Sequence, residues 1–315
     1  MTKKTALALL GIAAATLGQA APPAAGWEVP NWGTILTQHG AVKPWVDRIW
    51  CGHSQGMCVS SNAIYFSFHN EIVKTDWYGR LLKRVEVDRH GGDICLWNGR
   101  LYTGVCFVPK KGSGERSYAA IYVYDAETLE LQRKHKLPWG CADGITCLDG
   151  VIYLGMGNDR GKRKNWYGKY DAVTLEPLCK TFGVDDEDGS DCGAQNMCTD
   201  GTYIYVSHYT SDPAANNVIV HDRKDFKVVA KYQFGYNNGI DVVPGGGDGA
   251  VRFACCFTPN WGNSLQPDWK NRPDPPPLAV QAAVQFGELK DGRFTDITFY
   301  GDAASRQRSQ PKSRK

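Results

Sequence analysis

No stretch of the 315-residue chain approaches the roughly 20 consecutive apolar residues that a membrane helix requires, so no membrane span is expected. No pair of cysteines stands at CxxC zinc-finger spacing, which removes the common pattern of a structural metal. Helical periodicity is almost absent, and with it the α-helical classes. Cationic excess is missing too. The formal net charge is +3, but Lys3, Lys4 and the five cations of "RQRSQPKSRK" more than account for it. The body is therefore mildly acidic, which argues against nucleic acid as a partner. Histidine is scarce, with seven residues, so each one that falls near another polar group merits weighing.

The first twenty residues carry two early lysines, an apolar run of about a dozen residues and the small pair Gly18 and Ala20, which reads as a cleaved secretory signal peptide. The expectation is a periplasmic or secreted monomer. Residues 21–50 form an N-terminal extension, 51–301 the folded domain, and 302–315 a basic disordered tail. Such a compartment permits disulfides, and eleven cysteines leave at least one over. Their connectivity is open. The adjacent Cys255 and Cys256 are read as two small buried residues rather than a vicinal disulfide.

What the chain has in quantity is repetition. "QGMCV", "GDICL", "DGITCL", "QNMCTD" and "NGIDVV" recur as short polar starts running into apolar residues, anchored on Gly56, Asp93, Gly144, Asn196 and Gly239. An aromatic follows nine residues after each of the first four anchors: Tyr65, Tyr102, Tyr153 and Tyr205. The fifth, Phe253, comes fourteen after, behind the insertion "GGGDG". Each unit then closes on a hairpin with an acid assigned to its turn: Asp76, Asp125, Asp171, Asp222 and Glu288. Four short strands per unit and five units predict an all-β fold, a five-bladed β-propeller with four antiparallel strands per blade. One blade has two apolar faces and cannot bury both alone, so a closed ring is the stable solution.

Nearly all length variation falls between the second-strand aromatic and the turn acid, where the count runs from 11 to 35 residues. In a propeller those connections share one face with the starts of the innermost strands, and variable loops on a rigid scaffold are where function concentrates. The predicted funnel on that face is lined by His53, Gln55, His90, Asp93, Asp143, Gln195, Asn196, Asn237 and Asn238. Above it stand His69, His208 and Tyr209. Arg116, Arg160, Lys162 and Arg163 stand around the rim with Trp166, Trp261 and Trp269.

A histidine beside a carboxylate can move protons, because free imidazole titrates near working pH. His53 and His208 are the candidate proton-transfer groups, with Tyr209, Asp93 and Asp143 as catalytic partners. The bland alternative is that these groups cap strands and bind axial water. Aromatic faces stack on sugar rings and Arg forks grip carboxylates, so the rim suits an acidic oligosaccharide or polysaccharide. No cofactor is expected. The acid cluster at 185–191, "DDEDGSD", lacks EF-hand spacing and is read first as a solvated loop, with Ca²⁺ as the alternative.

The units "VYDAETLELQRK" and "KYDAVTLEPLCK" resemble the blade repeats of the YVTN and NHL β-propeller superfamily, which implies the fold and no particular activity. A weaker likeness is to the plant and bacterial type of glutaminyl-peptide cyclotransferase, also five-bladed, through Gln55 and Gly56 of "HSQGM". In that family a catalytic Glu opens blade two in a Gly-Glu-Gly-Ile run. Here "GGDI" places Gly92 at that position, with Asp93 one further on. The first functional expectation is an exported enzyme acting on an acidic carbohydrate, a polysaccharide lyase or glycoside hydrolase. The alternative is a non-catalytic glycan- or protein-binding propeller, and the third reading is glutaminyl cyclase-like.

Overall fold

The computed structural model describes residues 35–38, 54–87, 90–107, 118–138, 141–159, 164–184, 193–208, 217–233, 238–243, 250–257, 281–291 and 293–296. They build five antiparallel sheets, the blades of a β-propeller. Blade one is β2 (Ser54–Val59), β3 (Ile64–Phe68), β4 (Glu71–Thr75) and β5 (Leu81–Glu86). Blade two is β6 (His90–Trp97), β7 (Arg100–Phe107), β8 (Tyr118–Asp125) and β9 (Leu131–Lys136). Blade three is β10 (Ile145–Leu148), β11 (Val151–Asp159), β12 (Lys164–Asp171) and β13 (Phe182–Val184). Blade four is β14 (Ala194–Thr199), β15 (Tyr203–His208), β16 (Asn217–Asp222) and β17 (Val228–Gln233).

Blade five completes the circle with both ends of the described chain. Its first three strands are β18 (Ile240–Val243), β19 (Val251–Phe257) and β20 (Gln281–Lys290). The outer position is shared. β21 (Arg293–Asp296) pairs with Gly287 to Lys290, while β1 (Ile35–Gln38) pairs with Gln281 to Val284. A strand that precedes blade one thus lies on blade five and ties the ring shut. The first strands meet in a closed cycle: β2 with β6, β6 with β10, β10 with β14, β14 with β18, and β18 with β2.

Apolar side chains alternate toward the two neighbouring blades, so each blade-to-blade interface has its own core. Phe66 and Trp77 of blade one pack with Val284 and Phe286 of blade five. Tyr65 and Ile72 meet Ile94 and Tyr122, Tyr102 meets Ile152 and Leu154, Tyr153 and Tyr167 meet Met197 and Val206, and Tyr205 meets Phe253. The repeated aromatic also carries a polar tip that a buried ring must satisfy. Tyr65 Oη donates to Ala126 O, Tyr102 Oη to Ala172 O, and Tyr153 Oη to Arg223 O, each in the hairpin turn of the next blade. Tyr205 instead donates to Asp200 within its own blade at 2.8 Å.

The turn acids hold those hairpins in shape. Asp125 Oδ1 accepts from the Glu127 and Thr128 backbone N–H groups and from Thr128 Oγ1, and Asp171 repeats the arrangement with Val173 and Thr174. Backbone donors from Thr128 and Thr174 are the leading cause that holds the two carboxyls below their ordinary range. Glu288 corrects the pattern: it lies inside β20, where Arg252 Nε donates to it at 3.1 Å, and the turn falls at Asp291. All nine described cysteines are free thiols, so disulfides anticipated from the cysteine count are not found among the described residues. Cys255 and Cys256 are both buried, Cys255 in the interface of blades four and five and Cys256 against Ser54 Oγ at 3.1 Å.

Candidate functional site

In each blade the first strand begins, and the second ends, at one face of the ring, here called the upper face. Three of the five first strands open with a register irregularity there. The pairing shifts between Ser54 and Gly56, between Gly91 and Ile94, and between Ala194 and Asn196. A bulge re-aims the extra residue out of the alternation that sends side chains to neighbouring blades. The residues released this way are Gln55, Gly92 with Asp93, and Gln195.

Gln55 and Gln195 meet. Gln195 Nε2 donates to Gln55 Oε1 at 3.1 Å, and Gln55 Nε2 lies 3.3 Å from His69 Nε2. With its oxygen accepting from Gln195, the Gln55 amide presents N–H to His69, whose Nε2 therefore accepts and whose Nδ1 carries the proton in this arrangement. His69 follows β3, and Gly91 N donates to its carbonyl at 2.7 Å. Its ring contacts that of His90 edge to face, with centroids 4.3 Å apart. His90 opens β6 and pairs across the hairpin with Cys106 of β7.

Beside them stands Asp143, just before β10. Donor atoms of His90, Cys106 and Asp143 all lie within 4.8 Å of one another, and Cys106 Sγ is 4.0 Å from Asp143 Oδ1. Burial pushes the Asp143 carboxyl up to about 6, and its hydrogen bond with the Cys141 thiol pulls the other way. The Cys141 thiol is raised, first by its hydrogen bond with Cys106, then by burial and the neighbouring Asp143 charge. Farther round the ring, Asn165 Nδ2 approaches His208 Nδ1 at 3.5 Å, and both residues are buried.

Asp93 belongs elsewhere. It has no exposed surface, and its carboxylate accepts from Ile145 N at 3.1 Å, Met197 N at 2.8 Å and Asn196 Nδ2 at 3.2 Å. Asn196 also donates to Gln55 O at 2.6 Å. Each first strand is the terminal strand of its sheet, and Asp93 caps that inner edge in blades three and four. This corrects its placement as a solvent-facing acid of the funnel. Gln55 is likewise corrected from a funnel-lining position to a buried one, at 4% exposure, though among polar neighbours. Asp241 repeats the capping role in blade five, accepting from Val59 N of blade one at 2.8 Å.

The upper face therefore joins Gln55, His69, His90, Asp143 and Gln195 in one network. His208 sits apart with Asn165, and Asn238 lies just before β18. Trp166 packs partly against the core between blades two and three, with Lys164 Nζ 5.4 Å over its ring. His53, Tyr209, Asn237, Arg116, Arg160, Lys162, Arg163, Trp261 and Trp269 fall outside the described residues, as does the acid cluster at 185–191. Cys106 opens the stretch "CFVPKKGSGER", expected to stand above this face, but it was not anticipated as a site residue. Only the register of the β6–β7 hairpin brings it opposite His90.

No model of a protein family matches the chain, and no curated protein is significantly similar to it in sequence. Solved structures do match. The neighbours are β-propellers. The chain is 15% identical to the Dos1 propeller over 64% of its own length, with a TM-score of 0.37, and spans about half, 53%, of that structure. It is 11% identical to the glutaminyl cyclase of Myxococcus xanthus, covering 84% of this chain and 98% of that one, with a TM-score of 0.49. A luciferin-regenerating enzyme is 11% identical, with 80% and 95% covered and a TM-score of 0.43. Among the described residues no helix is long and apolar enough to cross a membrane.

Proposed function

We propose that the protein is an exported enzyme that acts on an acidic carbohydrate at the upper face, by lyase or hydrolase chemistry, with His69 and His90 as its proton-transfer groups. The observation that carries this reading is the contact of the two imidazoles at 4.3 Å, with His69 oriented by the Gln55–Gln195 relay and His90 beside Asp143. Two imidazoles in contact, each beside a polar neighbour that can exchange a proton with it, are what a proton-transfer site requires. The signal-like N-terminal run supports export. The sequence pattern adds His53, His208 and Tyr209 to the same face, with the rim cations and tryptophans as the groups that take sugar rings and carboxylates. On the turn repeat we assign the chain to the YVTN and NHL-like propellers.

In the lyase version a base removes the proton beside the uronate carboxylate, the glycosidic C–O bond breaks, and a C=C bond forms as the leaving oxygen is protonated. Purified protein incubated with a panel of uronic-acid polysaccharides should give unsaturated products by ultraviolet absorbance or new reducing ends. No product across a broad panel contradicts the reading.

A non-catalytic binding propeller is the second reading, favoured by the burial of His69 and His208 within hydrogen-bonded surroundings. Glycan-array binding that survives His69→Ala and His90→Ala, without turnover, would establish it. The cyclase-like reading draws nothing from Gly92, since a Cβ there would stand 2.8 Å from Ala142 O and leaves no room for the acid that family uses.

A further inference from the structure

Apart from Ca²⁺ as the alternative reading of the 185–191 acid cluster, the sequence carries no metal-site pattern, yet three side chains of different chemistry converge where β6, β7 and the approach to β10 meet. We propose that His90, Cys106 and Asp143 bind a single d-block divalent cation of the Zn²⁺ class. His90 and Cys106 are Cα partners in an antiparallel hairpin, so they face each other on a rigid backbone, and Asp143 reaches them from the next blade. Their donor atoms lie within 4.8 Å of one another, with sulfur and carboxylate oxygen 4.0 Å apart. Around a tetrahedral zinc ion, bond lengths of about 2.0–2.3 Å place ligand atoms roughly 3.5 Å apart. The group needs to close only slightly.

The donor set decides the class of ion. A thiolate with an imidazole disfavours Ca²⁺ and Mg²⁺, which take oxygen ligands, and suits Zn²⁺ and its neighbours. Three protein ligands leave a fourth position, and the Cys141 thiol, hydrogen-bonded to Cys106 and Asp143, stands beside them. Anchoring also matters. The Asp143 backbone is fixed from both sides, its N–H donating to Gly155 O at 3.2 Å and its carbonyl accepting from Asp93 N at 3.0 Å. His90 carries a neighbouring ring, His69, against its edge. Such supporting contacts hold a ligand in orientation before an ion arrives.

The inference rests on the upper face being the functional site only for its use, not for binding itself. With an ion in place, His90 would serve as its ligand and leave proton transfer to His69, and the cation would offer positive charge to a substrate carboxylate.

The test uses the full chain, reduced and stripped with chelator, then titrated with Zn²⁺ and separately with Co²⁺, alongside Ca²⁺. The expected result is one Zn²⁺ per chain by native mass spectrometry and sulfur-to-cobalt absorption on Co²⁺ addition. Losing even an outer partner of a metal ligand weakens binding by roughly 10–100-fold, so His90→Ala, Cys106→Ser and Asp143→Asn should each cost at least that much. Cys179→Ser, an exposed cysteine elsewhere, should cost nothing. Should Cys106→Ser fail to fold, protection of Cys106 from alkylation by Zn²⁺ in the unmodified protein gives the same answer. No Zn²⁺ uptake, uptake unaffected by His90→Ala and without Cys106 protection, or a chain isolated two hydrogens lighter with Cys106 and Cys141 joined, overturns the proposal. Zn²⁺ uptake without turnover of any glycan upholds it and removes the carbohydrate reading. Turnover by a chain that takes up no Zn²⁺ does the reverse.

Discussion

The carboxylate of Asp93, on the first strand of blade two, accepts a hydrogen bond from the backbone N–H of Met197, on the first strand of blade four, at 2.8 Å. The same oxygen takes the Ile145 N–H, and the other takes the Asn196 amide. One side chain therefore caps the inner edges of two blades and reaches the side chain of a third donor. Burial raises the Asp93 carboxyl well above its ordinary range, opposed by these donors.

Replacing Asp93 by Ala strips the acceptor from the buried Ile145 and Met197 N–H groups and one of two acceptors from the Asn196 amide, and each such loss costs about 1–3 kcal/mol. Chemical denaturation should show a loss on the order of 3–5 kcal/mol for Asp93→Ala and a clearly smaller one for Asp93→Asn, which keeps an acceptor oxygen and the shape. Equal, small losses for both would mean that the axial clasp contributes little.

Gly56 is required by the same contact. A Cβ there would stand 2.3 Å from Asp93 Oδ1 and 2.5 Å from its Cα, and the backbone cannot move aside. Overpacking of this kind typically costs 1–3 kcal/mol and occasionally more, so Gly56→Ala should unfold at markedly lower denaturant than the parent. An unchanged midpoint would show the first strands free to spread.

Gln55→Ala tests the relay. The residue is buried and bonded on both sides, to His69 and to Gln195. Its removal should cost about 1–3 kcal/mol, where an exposed funnel residue would change stability by no more than about 0.5 kcal/mol. Thermal melts of the single variant separate the two.

Asp241 gives a pH signature. Burial pushes its carboxyl up to about 7, against the pull of the Val59 and Val242 N–H groups, and in the unfolded chain an aspartate titrates near 4. Between those values the folded state binds more protons, so its stability falls as pH rises from about 4 to 7 and levels off above. Asp241→Asn removes that dependence and keeps an oxygen for Val59 N. The melting temperature of Asp241→Asn minus that of the parent should therefore increase from pH 5 to pH 8, other acids cancelling in the difference. A constant difference would contradict the burial of a raised carboxyl there.

The fold was legible because its repeat is written in residue types with local jobs. Tyr65, Tyr102 and Tyr153 recur since each must reach a carbonyl in the next blade, and Asp125 and Asp171 recur since a turn needs an acceptor for its own N–H groups. The centre was not legible. A bulge needs no special residue, so nothing in "HGGDI" signals that Asp93 leaves the sheet alternation and turns to the axis. Counting back from the Asn98–Gly99 turn without that bulge pairs His90 with Phe107, not with Cys106. Glu288 failed for a related reason, since a paired strand longer than expected moved the turn to Asp291. The pairing of Ile35–Gln38 with β20 joins segments far apart in sequence, and no local pattern encodes it.

The most direct test of the functional account is the initial rate of product formation on a uronic-acid polysaccharide by the parent protein and by a His69→Ala, His90→Ala double variant, each shown by melting to be folded. General acid–base groups contribute roughly 10²–10⁴-fold. The account predicts measurable turnover by the parent and a loss in that range for the variant. Turnover by a folded double variant at the parent rate would contradict it.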